Sequence, residues 1–327
     1  MALAIAKENV ARWLEKLLQA GEVVAPVRSS CGDVLFSTIT SAEQVVWDFP
    51  NSLHPPKELL LPQTDPIVRI TRRGQHHEVE PIIDRTRRFL FNVRSCDAKG
   101  IAFLTRMQEM EPADASYLRR SNNLTVISLA CTTPCQLGFC ICTDSGPFLR
   151  DSYDAQLTDL GESYLVEVAS PKGEAAVAEA QSLFRDATEG EVTQRQKLED
   201  AARRHFGEET CHFASAMRRI STCRVPDALW EKMSDWCLEC GGCSVVCPTC
   251  YCFSVEPLRK ISVRQEEAAA AFGDERMGML DLATQRFELG TSARGCQDQR
   301  DATPSKFGES LRGGSPGFGA RVEEGPF

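Results

Sequence analysis

The sequence predicts an α+β chain. A mixed domain spans residues 1–225, a short cysteine-rich segment spans 226–255, and a poorly patterned tail spans 256–327. Three observations predict this. Segments with apolar residues at helical spacing are interspersed with short runs that alternate or are wholly apolar. Cysteines crowd into two places, 131–142 and 237–252. Beyond about residue 256 neither period persists, and residues 290–327 are crowded with Gly, Pro, Ser and Arg, the composition of a disordered segment.

Taken in order, Leu3, Ala6, Val10, Trp13, Leu14, Leu17 and Leu18 predict an amphipathic helix over 3–19, ended by Gly21. Val23–Val27 and Ile67–Ile70 read as strands, and the prolines at 50, 55, 56, 62 and 66 mark a long loop between them. Phe89–Val93 is strand-like. Ile101, Leu104 and Met107 predict a helix over 97–110. Residues 124–130 and 164–169 read as buried strands, and 172–223 as two or three charged helices. A short helix over 227–236 leads into Cys237.

The chain has 327 residues, enough to bury a substantial core. A net charge of −9 argues against a nucleic-acid surface. No stretch has the apolar length of a membrane span, and the N-terminus lacks the basic-then-apolar order of an export signal. Fifteen cysteines without such a signal point to metal and redox chemistry rather than disulfides, in a reducing cytoplasm.

The strongest motif is Cys237-Leu-Glu-Cys240-Gly-Gly-Cys243-Ser-Val-Val-Cys247-Pro248, a C-x2-C-x2-C-x3-C-P run. That is the spacing of bacterial ferredoxin cluster ligands. Each thiolate can hold one corner of an iron–sulfur cube, and Gly241 and Gly242 let the backbone turn around it. The run therefore predicts a partial ferredoxin-like, mainly helical segment carrying a [4Fe-4S] cluster on Cys237, Cys240, Cys243 and Cys247. Zinc ribbons also use C-x2-C pairs, but with a long spacer between two pairs. In two-cluster ferredoxins the fourth cysteine serves the other cluster, which needs a second run. No second run follows: after Cys252 only Cys296 remains. The expectation is one cluster, about four irons per chain.

A second group, Cys131, Cys135, Cys140 and Cys142, follows the predicted strand at 124–130. A loop at a strand end is a usual place for function. Four thiols in so short a stretch form a possible second metal site, and the competing reading is small buried side chains. Asp97 is expected to cap the helix it precedes; the alternative is that Cys96 and Asp97 face Cys131 or Cys135 across neighbouring strand ends. Cys250 and Cys252 are expected to pack beside the cluster, and Cys31, Cys211 and Cys223 to be isolated buried thiols. His76 and His77 read as a solvated polar turn, and His205 and His212 as solvated helix residues. No G-x-G-x-x-G, P-loop or G-x-S-x-G motif is present, so no nucleotide or flavin site is supported.

At these residues the chain resembles the 4Fe-4S dicluster beta subunits of cytoplasmic nickel–iron hydrogenase/sulfhydrogenase complexes, and the related A subunit of anaerobic sulfite reductase. The resemblance rests on Asn92-Val-Arg-Ser-Cys-Asp-Ala-Lys-Gly-Ile, Cys131-Thr-Thr-Pro with Cys140-Ile-Cys142, Leu157-Thr-Asp-Leu-Gly with Tyr164-Leu-Val-Glu, and Cys237 to Cys252. It covers about residues 1–255; past 255 this chain lacks the second ferredoxin run of such proteins. The resemblance implies a subunit that relays electrons between a flavin subunit using NAD(P)H and a catalytic hydrogenase or sulfite reductase partner. It makes Cys237, Cys240 and Cys243 cluster ligands, and puts Cys247 at the position that serves a second cluster. No catalysis is expected of the isolated chain. The rival reading is a metal-stabilised structural or regulatory subunit without redox turnover.

Overall fold

The computed structural model describes residues 2–73, 76–135, 138–207, 212–238, 240–251, 256–259 and 279–285. The chain divides into two compact units, one of residues 1–209 with 242–289 and one of 210–241 with 290–327. Neither division falls at the expected 225 or 255.

The first unit is built on an eight-stranded sheet. Its strands are β1 (Ala2–Ala6), β2 (Glu22–Arg28), β3 (Val34–Ile39), β6 (Arg88–Arg94), β7 (Leu124–Leu129), β8 (Ala155–Asp159), β9 (Ser163–Val168) and β10 (Phe184–Asp186). The spatial order is β10-β1-β9-β8-β7-β6-β2-β3. The four central strands, β8, β7, β6 and β2, are mutually parallel, and the flanks are antiparallel. The expected mixed α/β domain is thus present, and its centre is parallel. Parallel strands need crossovers. Here α2 (Ser95–Gln108) and α3 (Ala115–Asn122) carry the chain from β6 to β7.

The central strands are covered on both faces, as parallel strands usually are. Phe89, Phe91, Val23, Ile127 and Leu129 join Trp13, Leu14 and Leu17 of α1 (Lys7–Ala20) in one core. Leu90, Val93, Val24 and Val126 join Ile101, Leu104 and Tyr117 in the other. The switch from Phe91 to Val93 without alternation is made by a bulge at Asn92, whose φ is 59°. Asn tolerates this left-handed backbone better than most residues, and its Nδ2 donates to the Val46 carbonyl at 2.9 Å. Trp13 is fully buried, donates Nε1–H to the Ala176 carbonyl at 2.9 Å, and meets Phe91 and Phe184 edge-to-face. Its carbonyl partner lies in α4 (Pro171–Ala178).

The predicted strands at 23–27, 124–130 and 164–169 and the helices at 97–110 and 227–236 all appear, with ends shifted by a few residues. The first helix differs. Residues 2–6 form β1 between β9 and β10, and the helix starts only at Lys7. Leu3, Ala4 and Ile5 are buried by that pairing, so tertiary burial overrides the helix propensity of alanine. The helix ends at Gly21, where a Cβ would stand 2.6 Å from the Arg87 carbonyl oxygen. The 172–223 stretch holds α4, β10, α5 (Glu189–Arg204) and α6 (Phe213–Ser221), so a strand interrupts the predicted helices.

A second, antiparallel sheet contains β4 (Thr64–Arg73), β5 (His76–Pro81), β11 (Glu256–Arg259) and β12 (Met279–Gln285), in the order β11-β12-β4-β5. His76 and His77 are exposed, as expected, but on a strand rather than a turn. Glu256–Arg259 and Met279–Gln285 fall in the stretch expected to be a tail without structure; they are strands, and β12 pairs with β4. The rest of that tail expectation, 260–278 and 286–327, lies outside the described residues. Between α3 and β4, Arg120 grips Asp65 with two bonds of 3.0 and 2.6 Å, and both side chains are buried.

The second unit contains α6 and α7 (Asp227–Asp235). Met217, Ile220, Leu229, Met233, Trp236 and Leu238 are exposed apolar side chains there. Among the described residues, no helix is long and apolar enough to cross a membrane.

Candidate metal centre

The ferredoxin-type run begins where α7 stops. The Cys237 N–H donates to the Ser234 carbonyl at 3.0 Å, continuing the last helical turn. Cys237, Cys240 and Cys243 are exposed thiols and Cys247 is half-buried. Gly241 has a φ of +71°, a turn that other residues rarely adopt. The division between the two compact units falls at Gly241–Gly242, inside the run. The four cysteines are thus grouped by their spacing along the chain.

On the side of the first unit, the run is anchored. Cys243 lies in α8 (Gly242–Val246). The Lys57 ammonium, itself buried, donates to the carbonyls of Ser244 at 2.8 Å and Cys250 at 3.3 Å. Pro248 packs on α2, where a Cβ on Gly100 would stand 2.9 Å from the proline Cβ. Tyr251 packs on the core that contains Leu104 and Tyr117. Burial pushes the Cys247 thiol up, but hydrogen bonds with Thr249 and Cys250 outweigh it and lower the thiol below its ordinary value. Four cysteines make an all-sulfur donor set, which suits an iron–sulfur cluster. A buried cation beside Cys243–Cys250 suits its negative charge. Cys252 lies outside the described residues.

The second cysteine group is rearranged relative to the sequence reading. Arg94 in β6 pairs in register with Leu129 in β7. Cys96 and Cys131 each follow that pair by two residues, at the carboxyl ends of adjacent parallel strands. Cys96, Cys131, Cys135 and Cys140 are all half-buried free thiols. They lie close enough to repel one another as thiolates: burial first, then Asp97, Cys131, Cys135 and Cys140, push the Cys96 thiol far up. Burial and the thiolates of Cys131 and Cys135 push Cys140 up to about 11. Burial raises Cys131 too; the Arg94 guanidinium and hydrogen bonds from Ser95 pull the other way without offsetting it. The Cys135 thiol donates to Asn51 Oδ1 at 3.0 Å. A Cβ on Gly146 would stand 3.6 Å from Cys140 Sγ and 3.0 Å from the Ser95 Cβ, so the loop closes tightly over the strand ends. Ser95 Oγ and the Cys131 N–H both donate to the Pro147 carbonyl and fix that closure.

Cys142 does not belong with these three loop thiols. It lies in a 3-10 turn, Cys140–Thr143, and is disulfide-bonded. The expectation of metal and redox chemistry rather than disulfides is corrected at this one cysteine. The Asp97 cap is corrected as well: the N-cap position is Arg94, Asp97 lies inside the first turn, and α2 has no side-chain cap. Burial pushes the Asp97 carboxyl up to about 6, with Arg94 pulling back. The alternative reading, Cys96 facing Cys131 and Cys135, is what the strand ends produce. Parallel neighbours at those ends were the missing signal, and only the βαβ order of elements could have supplied it. Cys31 is exposed rather than buried, Cys223 is half-buried, and Cys211 lies outside the described residues. Among the described residues, no three His, Cys, Asp or Glu side chains converge on a single metal-ion position.

Residues 236–278 match the family model of a 4Fe-4S dicluster domain. The chain is also 29% identical over 249 residues to the sulfhydrogenase 2 subunit beta of Pyrococcus furiosus, covering 76% of this chain and 72% of that protein. The cofactor is therefore of the [4Fe-4S] type. Both findings bear out the resemblance carried by the stretches at 92–101, 131–142, 157–167 and 237–252: this chain is similar, along most of its length, to a hydrogenase-type iron–sulfur beta subunit.

Proposed function

We propose that this chain is the electron-transfer subunit of a hydrogenase-type complex, with Cys237, Cys240, Cys243 and Cys247 holding a [4Fe-4S] cluster that links a flavin subunit using NAD(P)H to a catalytic partner. The observation that carries the reading is the C-x2-C-x2-C-x3-C-P run within the residues matched by the dicluster model. When bound, the cluster takes up and releases single electrons with little change of geometry. The chain's own part is to hold and tune. Cysteine thiolates fix the irons, the turn at Gly241 leaves backbone N–H groups able to face sulfur, and Lys57 ties the Ser244–Cys250 backbone to a rigid sheet domain. Catalytic chemistry belongs to the partner, for which a hydrogenase is favoured over a sulfite reductase by the sulfhydrogenase relative.

The test is NAD(P)H-linked hydrogen turnover by the complex assembled with the natural chain or with Cys240→Ala. Loss of turnover with assembly intact supports the relay. Full turnover by the variant would favour a structural metal at the run. NAD(P)H oxidation by the chain alone would overturn the reading altogether.

A further inference from the structure

We propose that Cys96, Cys131, Cys135 and Cys140 ligate a second iron–sulfur cluster, of the four-iron type, at the carboxyl ends of β6 and β7. This goes beyond the ferredoxin-type run and does not depend on it. Three of the thiols come from one loop and the fourth from the first turn of α2, so the sheet topology, not the spacing, assembles them. Open sheets with parallel strands place their sites at this edge.

The chemistry of the group selects the ligand. A single zinc ion needs four sulfurs about 2.3 Å from one centre, and no described group converges that tightly. A cubane takes each thiolate on a different iron, so its four sulfurs stand further apart. The surroundings suit an anionic cluster. Arg94 is buried beside Cys131, and its Nε–H has no hydrogen-bond partner among the described residues. The N–H groups of the first turn of α2 carry partial positive charge at the same place, and the Ser95 backbone already hydrogen-bonds the Cys131 sulfur. Phe148 and Ala202 wall the loop on the side of α5, with Arg195 over the Phe148 ring.

The site also stands next to the Pro248 end of the run, within the same compact unit. Gly100, one helical turn after Cys96, is the residue on which Pro248 packs, and Pro248 directly follows Cys247. A chain with one ferredoxin-type run would thereby have a second station for electrons in its sheet domain.

The experiment is anaerobic reconstitution of the full chain with an iron salt, sulfide and a thiol reductant, followed by iron, acid-labile sulfide and zinc analysis. The natural chain should bind about eight irons, and Cys240→Ala and Cys131→Ala/Cys140→Ala about four each. Cys142→Ser should match the natural chain. Cys240→Ala leaves the sheet domain untouched, so it decides the matter even if the double variant fails to fold. Complete loss of iron in Cys240→Ala would overturn the proposal, as would zinc lost on replacing Cys131 and Cys140. Four irons in the natural chain, kept by Cys240→Ala and lost in the double variant, would uphold this site while overturning the run as a cluster site.

Discussion

The sheet domain and the ferredoxin-type run are held together by different forces. The sheet domain buries Trp13, Phe89, Phe91, Leu104 and Tyr117 almost completely, in two cores on either face of parallel strands. The run has no buried residue in α7 or α8, and three of the four cysteines proposed as its ligands are exposed. One region gains its order from apolar burial, which the chain supplies by itself. The other has little to bury, and in the proposed function metal binding supplies its folding energy.

The sharpest way to break this comparison is to empty the core. Trp13→Ala removes a large ring and its bond to the Ala176 carbonyl, and should cost about 3–5 kcal/mol in denaturant unfolding. Cys240→Ala should leave that unfolding midpoint nearly unchanged while losing iron. Equal losses in both variants would show one cooperative unit and end the distinction. Next in size is the ion pair between α3 and β4. Arg120→Ala leaves Asp65 buried without its guanidinium, and should cost about 3 kcal/mol or more by the same measurement. A loss under about 1 kcal/mol would mean that water reaches the carboxylate.

Gly100→Val probes the joint between the regions. Its Cβ would collide with Pro248, and overpacking of this kind costs about 1–3 kcal/mol. The run can swing away from α2, so faster iron release to a chelator is expected with a smaller change in unfolding. The smallest effect concerns acid. Hydrogen bonds from Arg185 hold the Glu191 carboxyl down at about 2, from an ordinary value of 4.5. A lowered folded value gives stability that is present above pH 4.5 and lost as pH falls toward 2. Arg185→Ala should flatten unfolding curves across that window only, and by little, because the pair is exposed. Above that window the variant should carry a small loss that does not vary with pH, and a loss that changed with pH near neutrality would show another group at work.

What the sequence made legible follows the same division. The ferredoxin-type run was readable because ligand spacing is a local property, and the strands at Val23–Val27, Phe89–Val93 and Leu124–Ala130 were readable because they are short apolar blocks. Ala2–Ala6 was not, since alanine-rich sequence favours helix until strand partners exist on both sides. Cys96 was not separable from a helix-start residue, because its neighbours are 35 or more positions away and meet only through the parallel pairing of β6 with β7. Cys142 looked like a fourth ligand for the opposite reason: closeness along the chain suggested closeness in space.

Hydrogen exchange with and without iron tests the central contrast most directly. Amides of 237–251 should lose protection when iron is removed under anaerobic conditions, while those of Arg88–Arg94 and Leu124–Leu129 keep theirs. Equal protection of 237–251 in both states would contradict the account, because the run would then hold its shape without the cluster it is proposed to be built around.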